Sequence, residues 1–216
     1  MYILISTRFH KPPHDSAFSI ITFLFIRLGL FSWHPTLMAV SFCFLMFEGI
    51  LIFSPHSSLI GFKNRSTKVT WHWVILLIAF ISAVGGIIII YYNKTLNNKP
   101  HFTSWHGLIG IITVVYFMLQ LCAGIIVKYP KLLPTFKLVD LRLYHATSGL
   151  VVFLLICFTL FLSLYSNWFC KNITGTSWYA CVGCIGLMAT MITNQVTSAY
   201  LPRLQKRMQQ KIRPPI

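Results

Sequence analysis

Acidic residues are nearly absent from this chain of 216 residues, which has three Asp and Glu residues against 18 Lys and Arg residues. Charged residues of all kinds make up 10% of the sequence, compared with about 25% in ordinary soluble domains. Hydrophobic residues make up 56%. A chain of this composition would not stay dispersed in water, so a soluble domain is excluded and one membrane domain is expected.

The cysteines also lack the spacing of a metal site. Cys43, Cys122 and Cys157 lie inside apolar segments, and Cys181 and Cys184 form a CxxC pair with no second such pair to complete a zinc site. The small and aromatic neighbours of that pair favour a role in helix packing. The cysteines therefore do not predict a metal centre.

Five apolar segments have about the 20 residues that a helix needs to cross the hydrocarbon core of a bilayer. Trp or Tyr stands at nearly every end of these segments, as suits the headgroup region. A shorter apolar segment at 16–31 contains Arg27 and spans the bilayer only if that side chain snorkels outward. We predict an all-α integral membrane protein, a six-helix bundle whose five clear spans are 33–53, 71–92, 105–127, 143–165 and 178–200.

The basic residues lie at the ends of these segments, and fourteen of the 18 lie on one side of the predicted membrane. The positive-inside rule makes that side cytosolic, together with both termini if there are six spans. The chain then divides into a cytosolic segment at 1–15, a transmembrane domain at 16–202 and a basic cytosolic tail at 203–216. Because the net charge of +15 is not gathered on one folded face, we do not expect nucleic acid as a partner.

Two further signals concern processing and location. The Asn172–Thr174 sequon faces the non-cytosolic side in this topology, where glycosylation takes place. No cleavable signal peptide is evident, because the first apolar stretch is followed by Arg27 and by no small-residue cleavage site. We therefore expect a multi-pass protein of the endoplasmic reticulum or of cytoplasmic vesicle membranes.

Four histidines stand near the start of four successive spans, at separations of 38, 34 and 39 residues: His34, His72, His106 and His145. Consecutive spans run in opposite directions, so His34 and His106 lie near the outer face and the other two near the cytosolic face. A crossed pair would have to bridge most of a hydrocarbon core about 30 Å thick. Depth therefore predicts that His34 meets His106 and that His72 meets His145.

Two imidazoles that face each other across a helical bundle are natural axial ligands for a haem, and an iron with both axial positions filled suits electron transfer. Zinc fits less well, because each depth offers two histidines and the only acid within a span, Glu48, lies away from His34. Each histidine could instead be an interfacial residue bonded to backbone or water. The same placement in four spans argues against that alternative, because ionisable groups within a membrane are costly and usually functional. We predict two b-type haems in a four-helix core.

At these histidines the chain resembles the cytochrome b-561 family of di-haem transmembrane reductases, and most closely its short branch. The resemblance covers Leu30 to Pro202 and is carried by the segments LFSWHP, WHW, SWHG, KLLP, LRLYHATSGL and NQVTSAYLP. It implies six helices, the second to fifth of which enclose two haems ligated by the four histidines. It also implies a homodimer and an ascorbate-dependent oxidoreductase, in which cytosolic ascorbate gives one electron to the inner haem. Monodehydroascorbate radical or ferric iron then accepts the electron on the opposite side.

An anionic donor such as ascorbate requires positive charge beside the inner haem. The candidates in the two adjoining loops are Arg65, Lys68, Lys128, Lys131 and Arg142, and the Tyr144 hydroxyl is a further candidate for contact with ascorbate or a haem propionate. These cations also satisfy the positive-inside rule, which would place them there without any substrate. On the outer face, Lys99 could hold an anionic radical, His101 could bind iron or shuttle a proton, and Phe102 adjoins them.

Two other functions remain open from the sequence. The chain could be a cytochrome subunit that takes electrons from a protein partner or a quinone, although its own basic loops favour a small soluble donor. It could also be a haem-free membrane scaffold or transporter whose histidines pack or relay protons. Absence of a haem absorption band would favour the scaffold or transporter.

Overall fold

The computed structural model describes residues 29–54, 57–61 and 64–212, and the regular structure in this part of the chain is entirely helical. Its six helices are α1 (Gly29–Leu51), α2 (Arg65–Leu96), α3 (Trp105–Lys128), α4 (Leu138–Ser163), the short α5 (Asn167–Asn172) and α6 (Thr176–Ile212). All of them except α5 are long and apolar enough to cross a membrane. The predicted all-α, multi-pass membrane class is therefore confirmed.

The sixth predicted span, at 16–31, lies mostly outside the described residues. Residues 29–31 belong to the first turn of α1. The predicted segment at 1–15 also lies outside the described residues, as do the last four residues of the predicted tail.

The helices pack in sequence order around a common core. α1 packs on α2, α2 on α3, and α3 on α4, while α6 packs against α4 and α1. The aromatic rings of Phe47 in α1 and Phe153 in α4 stack with centroids 6.3 Å apart, which closes the ring of the first four helices. Phe117 and Phe153 are almost completely buried, so the middle of this four-helix bundle is closely packed.

Local capping determines where the helices begin and end. The Asn64 side chain accepts a hydrogen bond from the Ser66 amide at 2.9 Å, so α2 begins six residues before the predicted span. At its other end Asn98 adopts a left-handed conformation with φ 51°, and the Lys99 amide donates to the Lys94 carbonyl at 2.9 Å. This is a Schellman motif, with asparagine in the position that most often holds glycine. Both caps extend α2 by polar residues. A prediction based on apolar runs leaves these residues out of the helix.

Two features of the long helices differ from a regular α-helix. A π-helical stretch at Val40–Met46 interrupts α1, and such stretches are frequent at functional sites. α6 continues through Pro202 to Ile212, beyond the predicted span end at 200, and Pro202 removes one hydrogen bond from its backbone ladder.

Polar side chains within the bundle bond between helices. Ser41 donates to the Ala79 carbonyl at 2.7 Å, and Gln195 donates to the Ile50 carbonyl at 2.9 Å. Glu48 near the end of α1 accepts hydrogen bonds from the segment that follows, including one from the Ser58 hydroxyl at 2.7 Å. This carboxylate therefore organises the connection to α2.

Candidate cofactor site

Four histidines form two pairs at opposite ends of the bundle. The rings of His34 on α1 and His106 on α3 have centroids 6.2 Å apart and an interplanar angle of 76°. The rings of His72 on α2 and His145 on α4 have centroids 6.4 Å apart and an interplanar angle of 82°. All four residues are half-buried. The structure thus brings together the same two pairs that membrane depth predicts.

Three of the four rings are oriented by backbone carbonyls of a neighbouring helix. Their Nδ1 atoms lie within hydrogen-bond distance of these oxygens: His34 of Gly86 O at 2.9 Å, His72 of Gly49 O at 2.7 Å, and His106 of Thr159 O at 3.0 Å. When Nδ1 carries the ring proton it donates to the carbonyl, and Nε2 is left to bind a metal. Each of these three rings therefore has the orientation that a metal ligand with its proton on Nδ1 requires.

The fourth ring differs, because its partner is a side chain. The Nδ1 atom of His145 lies 3.1 Å from Nε2 of Gln120, which also donates to the His145 carbonyl at 2.6 Å. Gln120 is 6% exposed and lies on α3. Sequence reasoning missed this residue, although an amide within the apolar run of α3 was a signal that could have drawn attention to it.

The spacing of the paired rings matches two axial ligands of one haem iron. A metal–imidazole bond is about 2 Å long, and the ring centre lies about 1 Å beyond the bonded nitrogen. Two imidazoles on opposite sides of one ion therefore have centroids about 6 Å apart, close to the separation in both pairs. Across residues 29–54, 57–61 and 64–212, no three His, Cys, Asp or Glu side chains converge as a tetrahedral zinc site would require. The residues present fit two bis-histidine haem sites.

Several basic residues belong to the end of the bundle that holds His72 and His145. The ammonium group of Lys128 lies 5.0 Å from the centroid of Trp73, the residue after His72. Phe53, which sequence reasoning also missed, packs its ring 5.1 Å from that of His72. The other predicted donor residues lie at the same end: Arg65 and Lys68 in the first turn of α2, Lys131 in a 3₁₀ turn after α3, and Arg142 and Tyr144 one turn or less before His145.

At the opposite end, the predicted acceptor residues lie in the short connection between α2 and α3. The His101 ring stacks on Tyr91 with centroids 4.0 Å apart, and its Nε2 atom lies 3.2 Å from the Thr95 hydroxyl. Phe102 has a left-handed backbone with φ 53°, and Lys99 is exposed. His101 therefore packs against the end of α2. The sequence pattern did not indicate its contact with Tyr91.

Comparison with known proteins identifies relatives along most of the chain. The model of the family described as eukaryotic cytochrome b561 matches residues 33–170, a range that contains all four histidines of the two pairs. The chain is 43% identical over 194 residues to Transmembrane reductase CYB561D2 of Bos taurus and 44% identical to that of Mus musculus. Each match covers 89% of this chain and 86% of the relative. Lysosomal membrane ascorbate-dependent ferrireductase CYB561A3 of Mus musculus is 31% identical over 98 residues, 44% of this chain and 38% of that protein.

These matches extend beyond the histidine motifs and confirm the resemblance that those motifs indicate. Cytochromes b561 bind haem b, and the relatives that match most of the chain are named transmembrane reductases. Together with the five membrane-crossing helices, they establish an oxidoreductase that transfers electrons across a membrane. This chain belongs to the eukaryotic cytochrome b561 family.

Proposed function

We propose that this protein holds two haem b groups, one between His72 and His145 and one between His34 and His106, and carries single electrons from one membrane face to the other. The observation that supports this most directly is the centroid separation of 6.4 and 6.2 Å in the two pairs. When bound, haem supplies the one-electron chemistry, because its iron changes between the ferric and ferrous states. With an imidazole from each member of a pair bound to it, the iron would have no open position for oxygen chemistry.

The remaining task of the chain is to hold and insulate these groups. Backbone carbonyls fix the rings of His34, His72 and His106 and raise their basicity as ligands. Between the two pairs, the core contains packed aromatic rings, with Phe117 6.3 Å from Phe42 and 5.6 Å from Phe80. These aromatic rings fill part of the apolar core between the two ends.

For the donor we propose cytosolic ascorbate at the His72–His145 end. One relative is named an ascorbate-dependent ferrireductase, and ascorbate is an anion at neutral pH that the cluster of basic side chains at this end would attract. Among the six candidates at this end, Lys128 has the best-defined position, above Trp73 beside His72. The acceptor in this proposal is monodehydroascorbate radical or ferric iron at the opposite end, near Lys99 and His101.

Reconstituted vesicles test this proposal. Ascorbate trapped inside vesicles that contain the full-length protein should reduce external ferric citrate, and the same vesicles without internal ascorbate should not. Vesicles that contain the His72→Ala variant serve as the control, because that variant lacks a ligand at the donor end. Equal external reduction by protein-free vesicles loaded with ascorbate would contradict the proposal.

The electrostatic part of the proposal makes a separate prediction for Lys128. Lys128→Met should raise the ascorbate concentration for half-maximal haem reduction about 2- to 5-fold, because an exposed charge interaction contributes about 0.5–1 kcal/mol. Lys171→Met is the matched control, since Lys171 belongs to α5 on the opposite side. Added salt should slow the wild-type reaction and reduce the difference between the variants, because it screens exposed charges beyond about 10 Å. If salt left the rate unchanged, ascorbate docking would not depend on these charges.

A further inference from the structure

The four histidines do not have equivalent surroundings. Three rings meet backbone carbonyl oxygens, which no substitution can remove, whereas His145 meets the side chain of Gln120. Both ligands of the His34–His106 pair are therefore fixed by backbone. In the His72–His145 pair, only His72 is fixed in this way.

Gln120 is held in place by a small closed network. Its Nε2 atom donates to the His145 carbonyl at 2.6 Å, and its Oε1 atom accepts from the Ser148 hydroxyl at 2.7 Å. On the other side the amide lies against Gly149, where an added Cβ would meet Nε2 at 2.8 Å. The amide therefore lies along α4, in contact with Gly149, Ser148 and the His145 imidazole.

An amide at this position can present either of its ends to the ring, because a 180° rotation exchanges the oxygen and the NH₂ group. A histidine that binds iron through Nε2 carries its proton on Nδ1, which makes Nδ1 a donor. The partner that it then requires is an acceptor. The amide oxygen of Gln120 becomes that acceptor when the amide turns over, which breaks its bond to the His145 carbonyl and places its NH₂ group against the Ser148 hydroxyl, a group that can accept as well as donate.

We propose that Gln120 is the positioning residue of His145 and sets the reduction potential of the haem at the His72–His145 pair independently of the other haem. This inference rests on the proposed function, since it assumes that both pairs hold haem. An acceptor on Nδ1–H increases the basicity of the imidazole, which favours ferric over ferrous iron and lowers the midpoint potential. Loss of the acceptor has the opposite effect.

The test is a spectroelectrochemical titration of the full-length, haem-loaded protein in detergent. Gln120→Leu, which removes the acceptor, should shift one of the two midpoints to a more positive value and leave the other unchanged. Gln120→Glu keeps an acceptor oxygen at the same distance along the side chain and should restore that midpoint to the wild-type value or below it. The titration is then repeated in the His34→Ala background, which keeps the haem of the His72–His145 pair. A midpoint shift that Gln120→Leu still causes in this background belongs to that pair.

The control is Ser41→Ala, which also removes a buried polar group from the bundle. The Ser41 hydroxyl donates to the Ala79 carbonyl and not to a histidine. This variant should move neither midpoint. Loss of one haem in Gln120→Leu but not in Gln120→Glu would also support the positioning role. Unchanged midpoints, equal shifts of both midpoints, or haem loss in both Gln120 variants would overturn the inference about Gln120 alone. Fewer than two haems in the wild-type protein would instead overturn the proposed function, and this inference with it.

Discussion

Replacing His34 or His106 with alanine is expected to remove one of two haems and leave the other reducible by ascorbate. His72→Ala or His145→Ala is expected to remove the other haem and abolish rapid reduction by ascorbate, because the donor-side haem is then missing. The physical reason is the separation of the pairs: each ring lies about 6 Å from its own partner, at opposite ends of the bundle. Haem quantification per chain and reduced-minus-oxidised absorption spectra measure both effects.

His101→Ala provides the matched control for these four variants. His101 stacks on Tyr91 and lies 3.2 Å from the Thr95 hydroxyl, so it has no part in either pair. The His101→Ala variant should retain both haems. Equal loss of both haems in all four ligand variants would contradict the assignment of separate sites, because it would show that the histidines support one common structure.

The second large effect is expected at Gly49, where α1 lies in close contact with α2. A Cβ at this position would lie 3.0 Å from Leu76 Cδ2 and 3.2 Å from Ile75 Cγ2, and the Gly49 carbonyl is the partner of His72. Gly49→Val should therefore push α1 away from α2 and destabilise the protein by about 1–3 kcal/mol, as overpacking of a core typically does. The movement also removes the hydrogen bond that orients His72, so the haem of that pair should be lost preferentially.

Gly186→Val isolates the packing effect. It makes the same chemical change within a membrane-crossing helix, but an added Cβ at Gly186 meets no atom within 4 Å. Thermal unfolding monitored by circular dichroism, together with haem content, distinguishes the two variants. Equal effects at both positions would show that helix propensity, and not the contact between α1 and α2, is responsible.

Much of the fold is predictable from the sequence because the bilayer limits what a membrane protein can do. Five apolar runs of helix-spanning length, bordered by aromatic residues, become five membrane-crossing helices. Alternation of helix direction then places His34 and His72 at opposite depths, and this alone restricts the pairs to those observed. These inferences need only the order of residues and the thickness of the membrane.

The rest depends on contacts that sequence order does not contain. The start of α2 at Arg65 is determined by a side-chain cap from Asn64, and the connection after α2 is shaped by Asn98 in a left-handed conformation. The π-helical stretch in α1 breaks the regular 3.6-residue period that a pattern analysis assumes. Gln120 and His145 are 25 residues apart on different helices, so only the packing of α3 against α4 reveals that they meet.

The central claim is that two histidine pairs hold two haems that ascorbate can reduce. The most direct test is an absorption spectrum of the detergent-purified, full-length protein before and after the addition of ascorbate, with haem quantified per chain. We predict two haems per chain and sharpened absorption bands of reduced b-type haem after the addition. A protein that purifies folded without haem would contradict the claim and would favour a haem-free scaffold or transporter.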